Sequence, residues 1–93
     1  MLEKKVENQI KDYLYSKGAY YFKVHGSSMM PKGIPDLIVC YKGLFIGIEV
    51  KAPDKLHNTS MYQEIHRDNI LKAGGIHIVA NSLDLVKEVI EKL

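Results

Sequence analysis

Residues 33–51 read Gly-Ile-Pro-Asp-Leu-Ile-Val-Cys-Tyr-Lys-Gly-Leu-Phe-Ile-Gly-Ile-Glu-Val-Lys, and this stretch decides the fold of the 93-residue chain. It contains two runs, 36–41 and 44–50, that are rich in β-branched and aromatic residues. The dipeptide Lys42-Gly43 separates them, and a short Gly-containing break between two such runs is typical of a β-hairpin. Both faces of the predicted hairpin are apolar, which is typical of central strands that are covered on both sides.

The register of this hairpin is expected to bring three charged residues together. If Tyr41 pairs with Leu44 across a two-residue turn, Asp36 lies directly opposite Glu49. Cross-strand partners have Cβ atoms about 4.5–5.5 Å apart on one face, so two carboxylates repel each other there unless a cation lies between them. Lys51 follows two residues after Glu49 and emerges on the same face. The hairpin is therefore predicted to present an Asp, a Glu and a Lys at one end of an apolar sheet.

These three residues can support metal-dependent hydrolysis of a phosphodiester. Asp36, Glu49 and the backbone carbonyl of Val50 offer hard oxygen ligands, which favour Mg²⁺ or Mn²⁺ over Zn²⁺. Metal-bound water is a nucleophile near neutral pH, and Lys51 could orient it, help deprotonate it or stabilise charge on the phosphorane. In the alternative interpretation Asp36 is a turn residue, and Glu49 and Lys51 form a solvated ion pair. Convergence of all three favours the catalytic interpretation.

Length and composition indicate one ordinary globular domain. The chain is 46% hydrophobic and 26% charged, and its net charge of +2 is too small to argue for a nucleic-acid partner by itself. The single cysteine, Cys40, is expected in the core and in a reducing compartment. The charged N-terminus and the lack of an apolar run near 20 residues predict neither a signal peptide nor a membrane span, so we expect a cytoplasmic protein without membrane partners.

Periodicity along the chain predicts the element order α-β-β-β-α-β-α, a mixed α/β sheet with helices on both faces. The second helix opens with Ser60-Met61-Tyr62-Gln63, a capping-box sequence. Glu7 lies at the edge of the apolar stripe of the first helix and either faces the sheet or forms a solvated pair with Lys11. The long loop 25–35 is rich in Gly, Ser and Pro and is a candidate functional loop. The predicted elements are a helix at 2–17, a strand at 19–24, the two hairpin strands, a helix at 60–73, a strand at 76–80 and a helix at 83–92.

The order of these motifs resembles the PD-(D/E)xK nucleases. Pro35-Asp36 and Glu49-Val50-Lys51 are the core pattern, Gly33 extends the first block, and Ser60-x-x-Gln63 resembles the helix that follows. Together the blocks resemble the VRR-type (virus-type replication-repair) nuclease domain over nearly the whole chain, 1–93. Stand-alone domains of this size are similar to those that phages and their bacterial hosts encode.

The resemblance implies a restriction-endonuclease-like αβββαβ core with a C-terminal helix. It implies that Asp36 and Glu49 bind the metal, Lys51 is the catalytic lysine, and Gln63 faces the site in competition with its capping role. It also implies that a glutamate of the first helix, matched by Glu7 (Glu3 is the other candidate), joins the active site, where it would act on the metal through water. No small-molecule organic cofactor is implied.

A domain this small would gain contact with DNA by forming a homodimer, similar to archaeal-type Holliday junction resolvases, and would act on branched DNA. Selectivity would come from shape and phosphate contacts, because no element of the chain resembles a base reader. The candidate phosphate contacts are Lys23, His25, Lys32, Lys55 and Arg67.

Two other functions stay open. One is a non-cleaving module that binds branched DNA or a replication or repair partner. The other is a small metal-dependent hydrolase of nucleotides or phosphate esters, which ranks last because the chain has no Gly-rich phosphate loop. The intact motif favours a nuclease over both.

Overall fold

A computed structural model describes residues 2–93, and the predicted element order is confirmed. The predicted domain, 1–93, includes Met1, which lies outside this range. Within residues 2–93, no helix combines the length and the apolar character that crossing a bilayer requires. The elements are α1 (Glu3–Ser16), β1 (Tyr20–Lys23), β2 (Leu37–Tyr41), β3 (Leu44–Val50), α2 (Met61–Lys72), β4 (Ile76–Ala80) and α3 (Leu83–Ile90).

The four strands form one mixed sheet in the order β1-β2-β3-β4. β1 and β2, and β2 and β3, are antiparallel, whereas β3 and β4 are parallel and are joined through α2. Tyr41 pairs with Leu44, as the two-residue turn predicts. Lys42 and Gly43 both have positive φ, 52° and 79°, the combination of a type I′ turn, whose twist matches that of the strands. The turn therefore fixes the register that sets Asp36 against Glu49.

One face of the sheet is closed by α1 and α3. The apolar stripes of both helices pack on the alternate side chains of β2, β3 and β4, because strand residues two apart share a face. The side chain of Tyr13 on α1 donates a hydrogen bond of 3.1 Å to Glu91, just after α3. The buried core consists of Val6, Ile10, Leu14, Leu37, Val39, Ile46, Ile48, Val50, Ile78, Ala80, Val86 and Ile90.

The opposite face is only half covered. α2 lies over β3 and β4, where Gly47 leaves room for Pro35 and Ile70: a Cβ on Gly47 would come within 2.8 Å of the Pro35 ring and 3.2 Å of Ile70. The β1–β2 half of this face carries exposed apolar side chains, and Cys40 is also exposed. Helices flank both faces as expected, but the expectations that both hairpin strands are covered on both sides and that Cys40 lies in the core are wrong. The alternation of apolar residues in a strand cannot show that α2, a helix of 12 residues, is too short to cover all four strands. The exposed aromatic residues on this face are Tyr20, Phe22 and Phe45.

Candidate active site

Backbone hydrogen bonds fix Asp36 at the end of the sheet. Asp36 directly precedes β2, and its Oδ2 accepts a hydrogen bond of 2.7 Å from the backbone N–H of Val50. Its backbone carbonyl accepts another, of 2.8 Å, from the N–H of Val24. The carboxylate is therefore held across the hairpin beside Glu49, as the register predicts.

Glu49 is a buried carboxylate with one oxygen that has no hydrogen-bond partner among residues 2–93. The residue is only 3% exposed, and its Oε2 is buried with no hydrogen-bond partner in the described chain. Burial, the charge of Asp36 and a hydrogen bond with the Asp36 carboxyl raise the pKa of Glu49 to about 8, and Lys51 only partly offsets them. An unpaired buried polar atom is costly, so added positive charge, such as a proton, would stabilise the pair Asp36–Glu49.

Lys51 is held by Gln63 on the neighbouring helix. The Nζ of Lys51 donates a hydrogen bond of 3.0 Å to Oε1 of Gln63. The same Oε1 accepts a second hydrogen bond, of 3.0 Å, from the backbone N–H of Ser60. In return, Oγ of Ser60 accepts a hydrogen bond of 3.2 Å from the backbone N–H of Gln63. The capping box and the contact with Lys51 therefore coexist, because Gln63 Oε1 serves two donors. This bond fixes the Lys51 ammonium on the α2 side of the sheet.

The long loop packs directly against the first turn of α2 at Gly33. This glycine has φ +84°, and a Cβ there would lie 2.6 Å from the backbone N of Gln63 and closer still to the carbonyl carbon of Tyr62. Only glycine fits both the conformation and the space. The close approach positions Gln63, and through it Lys51, relative to the segment that carries Asp36.

Glu7 projects from α1 toward the sheet, where three lysines surround it. It is 3% exposed, and its carboxylate lies 2.6 Å from Nζ of Lys23 and 3.2 Å from Nζ of both Lys4 and Lys11. Burial alone would raise its pKa, but hydrogen bonds from Lys23, Lys4 and Lys11 outweigh burial and lower the pKa of Glu7 to about 2. The pair with Lys11 is present, yet the carboxylate is buried and not solvated. The charge of Glu3, on the same helix, acts on Lys23 and on Glu49.

The donor set at the end of the hairpin fits a hard divalent cation. Within residues 2–93, no three His, Cys, Asp or Glu side chains converge to hold a metal ion. Asp36 and Glu49 offer two carboxylates with one buried oxygen unpaired, and Val50 adds a backbone carbonyl. Mg²⁺ is commonly bound by one or two carboxylates and completes its shell with water and substrate phosphate. The residues therefore suit Mg²⁺ or Mn²⁺ and do not form a closed Zn²⁺ cage.

The five predicted phosphate contacts divide into two groups. Nζ of Lys23 lies 3.9 Å from Oδ1 of Asp36. Lys32 shares with Asp36 a cleft of about 280 Å³ and stacks on Tyr62 at 5.5 Å, and exposed His25 belongs to the same loop. Lys23 and Lys32 therefore lie near Asp36, and His25 lies between them in the sequence.

Lys55 and Arg67 line cavities other than the cleft that contains Asp36. Lys55 lines a separate cavity of about 660 Å³ with Asn81. Arg67 lines another, of about 380 Å³, and pairs with Asp68 at 3.0 Å. Sequence reasoning proposed the pair of Glu7 with Lys11 but missed Lys4, although its spacing of three residues from Glu7 places it on the same helix face.

Comparison with solved structures gives the same family as the motifs. A solved "VRR_NUC domain" matches 96% of this chain and 94% of its own with a TM-score of 0.74 and 27% sequence identity. This similarity over nearly the whole chain supports assigning it to the VRR_NUC type. No protein-family model and no curated protein matches the sequence. The chain has the fold that the resemblance implied, a four-stranded mixed sheet flanked by helices with a further helix at the C-terminal end.

Proposed function

We propose that this VRR_NUC domain, residues 1–93, is a Mg²⁺- or Mn²⁺-dependent endonuclease that hydrolyses phosphodiester bonds in branched DNA. The observation that carries the proposal is the buried pair Asp36–Glu49, with one oxygen of Glu49 unpaired and Lys51 next along the strand face. A structural ion pair would neutralise such a pair within the protein. Here Lys23, at 3.9 Å from Asp36, and Lys51 offset the negative charge only in part, and a divalent cation would supply the remaining compensation.

Each side chain then has a distinct role. Asp36, Glu49 and the carbonyl of Val50 would hold the cation, and Glu7 would act on it through water. When bound, the cation makes water more acidic and stabilises negative charge on a phosphate. Lys51, fixed by Gln63 at 3.0 Å, would orient the attacking water and stabilise charge on the phosphorane.

Branched DNA and a homodimer are the finer parts of the proposal. One chain carries one such site, and paired cuts in two strands require two sites, which a two-fold dimer provides. Lys23, His25 and Lys32 would contact phosphates near the cut, and Lys55 and Arg67 would contact phosphates farther away. Such contacts position DNA without reading its sequence, so the shape of the substrate would decide where it is cut.

A cleavage assay tests the proposal. Labelled linear duplex, single strand, flap and immobile four-way junction are incubated with Mg²⁺ or Mn²⁺ and wild-type protein, Asp36→Asn or Glu49→Gln. Asp12→Asn, which removes an exposed carboxylate of α1, is the matched control. We expect symmetrical paired nicks in the junction from the wild type and the control, and none from the two site variants. Junction binding without cleavage of any substrate would instead support the non-cleaving module.

A further inference from the structure

A second charged cluster borders the candidate active site. It consists of Glu7 and the three lysines around it, Lys4, Lys11 and Lys23, and is called the Glu7–lysine cluster below. All three ammonium groups lie within 3.2 Å of one carboxylate. Three ammonium groups therefore converge on one buried carboxylate, an excess of positive charge around Glu7 that Asp36, 3.9 Å from Lys23, and Glu3 offset in part.

Holding the fold together does not require this excess. Lys23, on β1, is the only one of the three lysines that links Glu7 to another element of the fold. Lys4 and Lys11 belong to α1 themselves, so their contacts with Glu7 join no two parts of the molecule. Pairs of this kind within one helix contribute only about 0.2–0.5 kcal/mol each. A structural role explains Lys23 but not the convergence of the other two.

The lysines, and not the carboxylate, meet the solvent. The Glu7 side chain is 4% exposed, whereas the side chains of Lys4, Lys11 and Lys23 are 68%, 27% and 25% exposed. Each ammonium has three N–H donors, and one contact with Glu7 leaves others available. The buried carboxylate holds three mutually repelling ammonium groups together, so an anion that approaches from solvent meets a preformed group of donors.

The position of the cluster indicates which anion it takes. Nζ of Lys23 lies 2.6 Å from Glu7 and 3.9 Å from Oδ1 of Asp36, so the cluster and the proposed metal site are neighbours. A DNA strand with one phosphate at Asp36 and Glu49 carries further phosphates on both sides of it. We propose that the Glu7–lysine cluster binds a backbone phosphate of the DNA strand next to the phosphate that is cut. This inference rests on the proposed function.

Salt dependence of DNA binding tests the cluster separately from cleavage. The dissociation constant for a fluorescent four-way junction is measured in EDTA from 0.05 to 0.3 M salt, roughly the range over which phosphate contacts weaken. The test variant is Lys4→Met/Lys11→Met, which keeps Lys23 beside Asp36. The control is Lys5→Met/Lys17→Met, which also removes two positive charges, one within α1 and one just after it. These residues are chosen because neither forms an ion pair with Glu7 among residues 2–93. Thermal unfolding checks that both variants fold.

The expected result is a weaker salt dependence of DNA binding in the test variant alone. Each lost lysine–phosphate contact lowers the slope of log K against log salt by about 1 and weakens binding about tenfold at 0.1 M salt. In Mg²⁺, the test variant should raise KM and leave kcat within about twofold, since the lysines bind DNA away from the reacting phosphate. A wild-type slope in the test variant overturns this inference and leaves the proposed function intact. Absence of DNA binding by the wild-type protein overturns both.

Discussion

Glu7 and Glu49 are equally buried, at 3% exposure each, yet their pKa values are shifted in opposite directions. Hydrogen bonds from three lysines lower the pKa of Glu7 to about 2 against the effect of burial. Burial and Asp36 raise the pKa of Glu49 to about 8. Solvent exposure is the same in the two cases, but Glu49 lies deeper in the protein and is more strongly desolvated, and the lysines beside Glu7 and the carboxylate beside Glu49 decide the direction of each shift.

The difference separates a satisfied glutamate from one that needs a cation. Glu7 has positive charge in excess within the protein, and Glu49 has a second carboxylate as its neighbour. A buried charge without a partner persists where binding or catalysis requires it. The unsatisfied glutamate is therefore the better candidate for the metal ligand, and the satisfied one for organising positive charge.

Glu49→Gln should cause the largest loss of cleavage, and it tests whether the carboxylate without a partner is required. The substitution removes a metal ligand, and we expect junction cleavage in Mg²⁺ to fall by at least about a thousandfold. It also removes the repulsion with Asp36, so the free energy of unfolding should stay the same or rise. A single-turnover cleavage assay and urea unfolding measure the two quantities. Retained cleavage would rule out Glu49 as an essential ligand.

Lys51→Met should cause the next largest loss of cleavage. The methionine keeps much of the packing but removes the ammonium that Gln63 holds, and we expect kcat to fall by about 10²–10⁴-fold. Binding of Mn²⁺ should persist because Asp36 and Glu49 remain. Parallel measurements of kcat and of Mn²⁺ affinity separate the catalytic role of the lysine from a role in binding the metal. Wild-type cleavage by this variant would remove Lys51 from the mechanism.

Glu7→Gln should mainly reduce stability, and it tests whether the lysine-paired carboxylate contributes to folding. It leaves three ammonium groups without their carboxylate, and we expect a loss of about 1–3 kcal/mol in the free energy of unfolding at pH 7. Because folding lowers the pKa of Glu7 from 4.5 to about 2, this stabilisation is present above pH 4.5 and is lost as the pH falls toward 2. Urea unfolding of wild type and variant at several pH values measures it. A difference that is unchanged down to pH 2 would contradict the lowered pKa.

Gly33→Ala should reduce cleavage by less than the first two variants and stability by less than the third. It disturbs the part of the site that contains Glu49 and Lys51 but does not touch the Glu7–lysine cluster. Alanine at φ +84° is strained, and its Cβ would overlap the backbone of Tyr62 and Gln63. We expect a loss of about 1–2 kcal/mol in unfolding free energy and reduced kcat, since Gln63 would shift away from Lys51. Gly26→Ala is the matched control, because nothing lies within 4 Å of a Cβ there. Equal behaviour of the two variants would show that the close approach is not needed.

The sequence predicted the fold and the Asp36–Glu49 side of the site because both depend on local signals. The turn Lys42-Gly43 and the alternation of apolar residues fix the hairpin register, and the register places Asp36 beside Glu49. The partner of Glu7 was harder to find. Lys23 comes from β1, and only the pairing of β1 with β2 places it between Glu7 and Asp36.

The exposure of Cys40 could not be predicted from the sequence either. The apolar pattern of β2 predicts which side chains share a face, but it does not say whether a helix covers that face. α2 covers the parallel pair that it connects, and the antiparallel half stays exposed.

Calorimetric titration of Mn²⁺ into wild type, Glu49→Gln and Glu7→Gln at pH 7 tests the central claim most directly, that Glu49 and not Glu7 is the glutamate that needs a cation. We expect the wild type to bind Mn²⁺, Glu49→Gln to bind at least about a hundredfold more weakly, and Glu7→Gln to stay within about tenfold of the wild type. Wild-type affinity in Glu49→Gln, or an equal loss in both variants, would contradict the account.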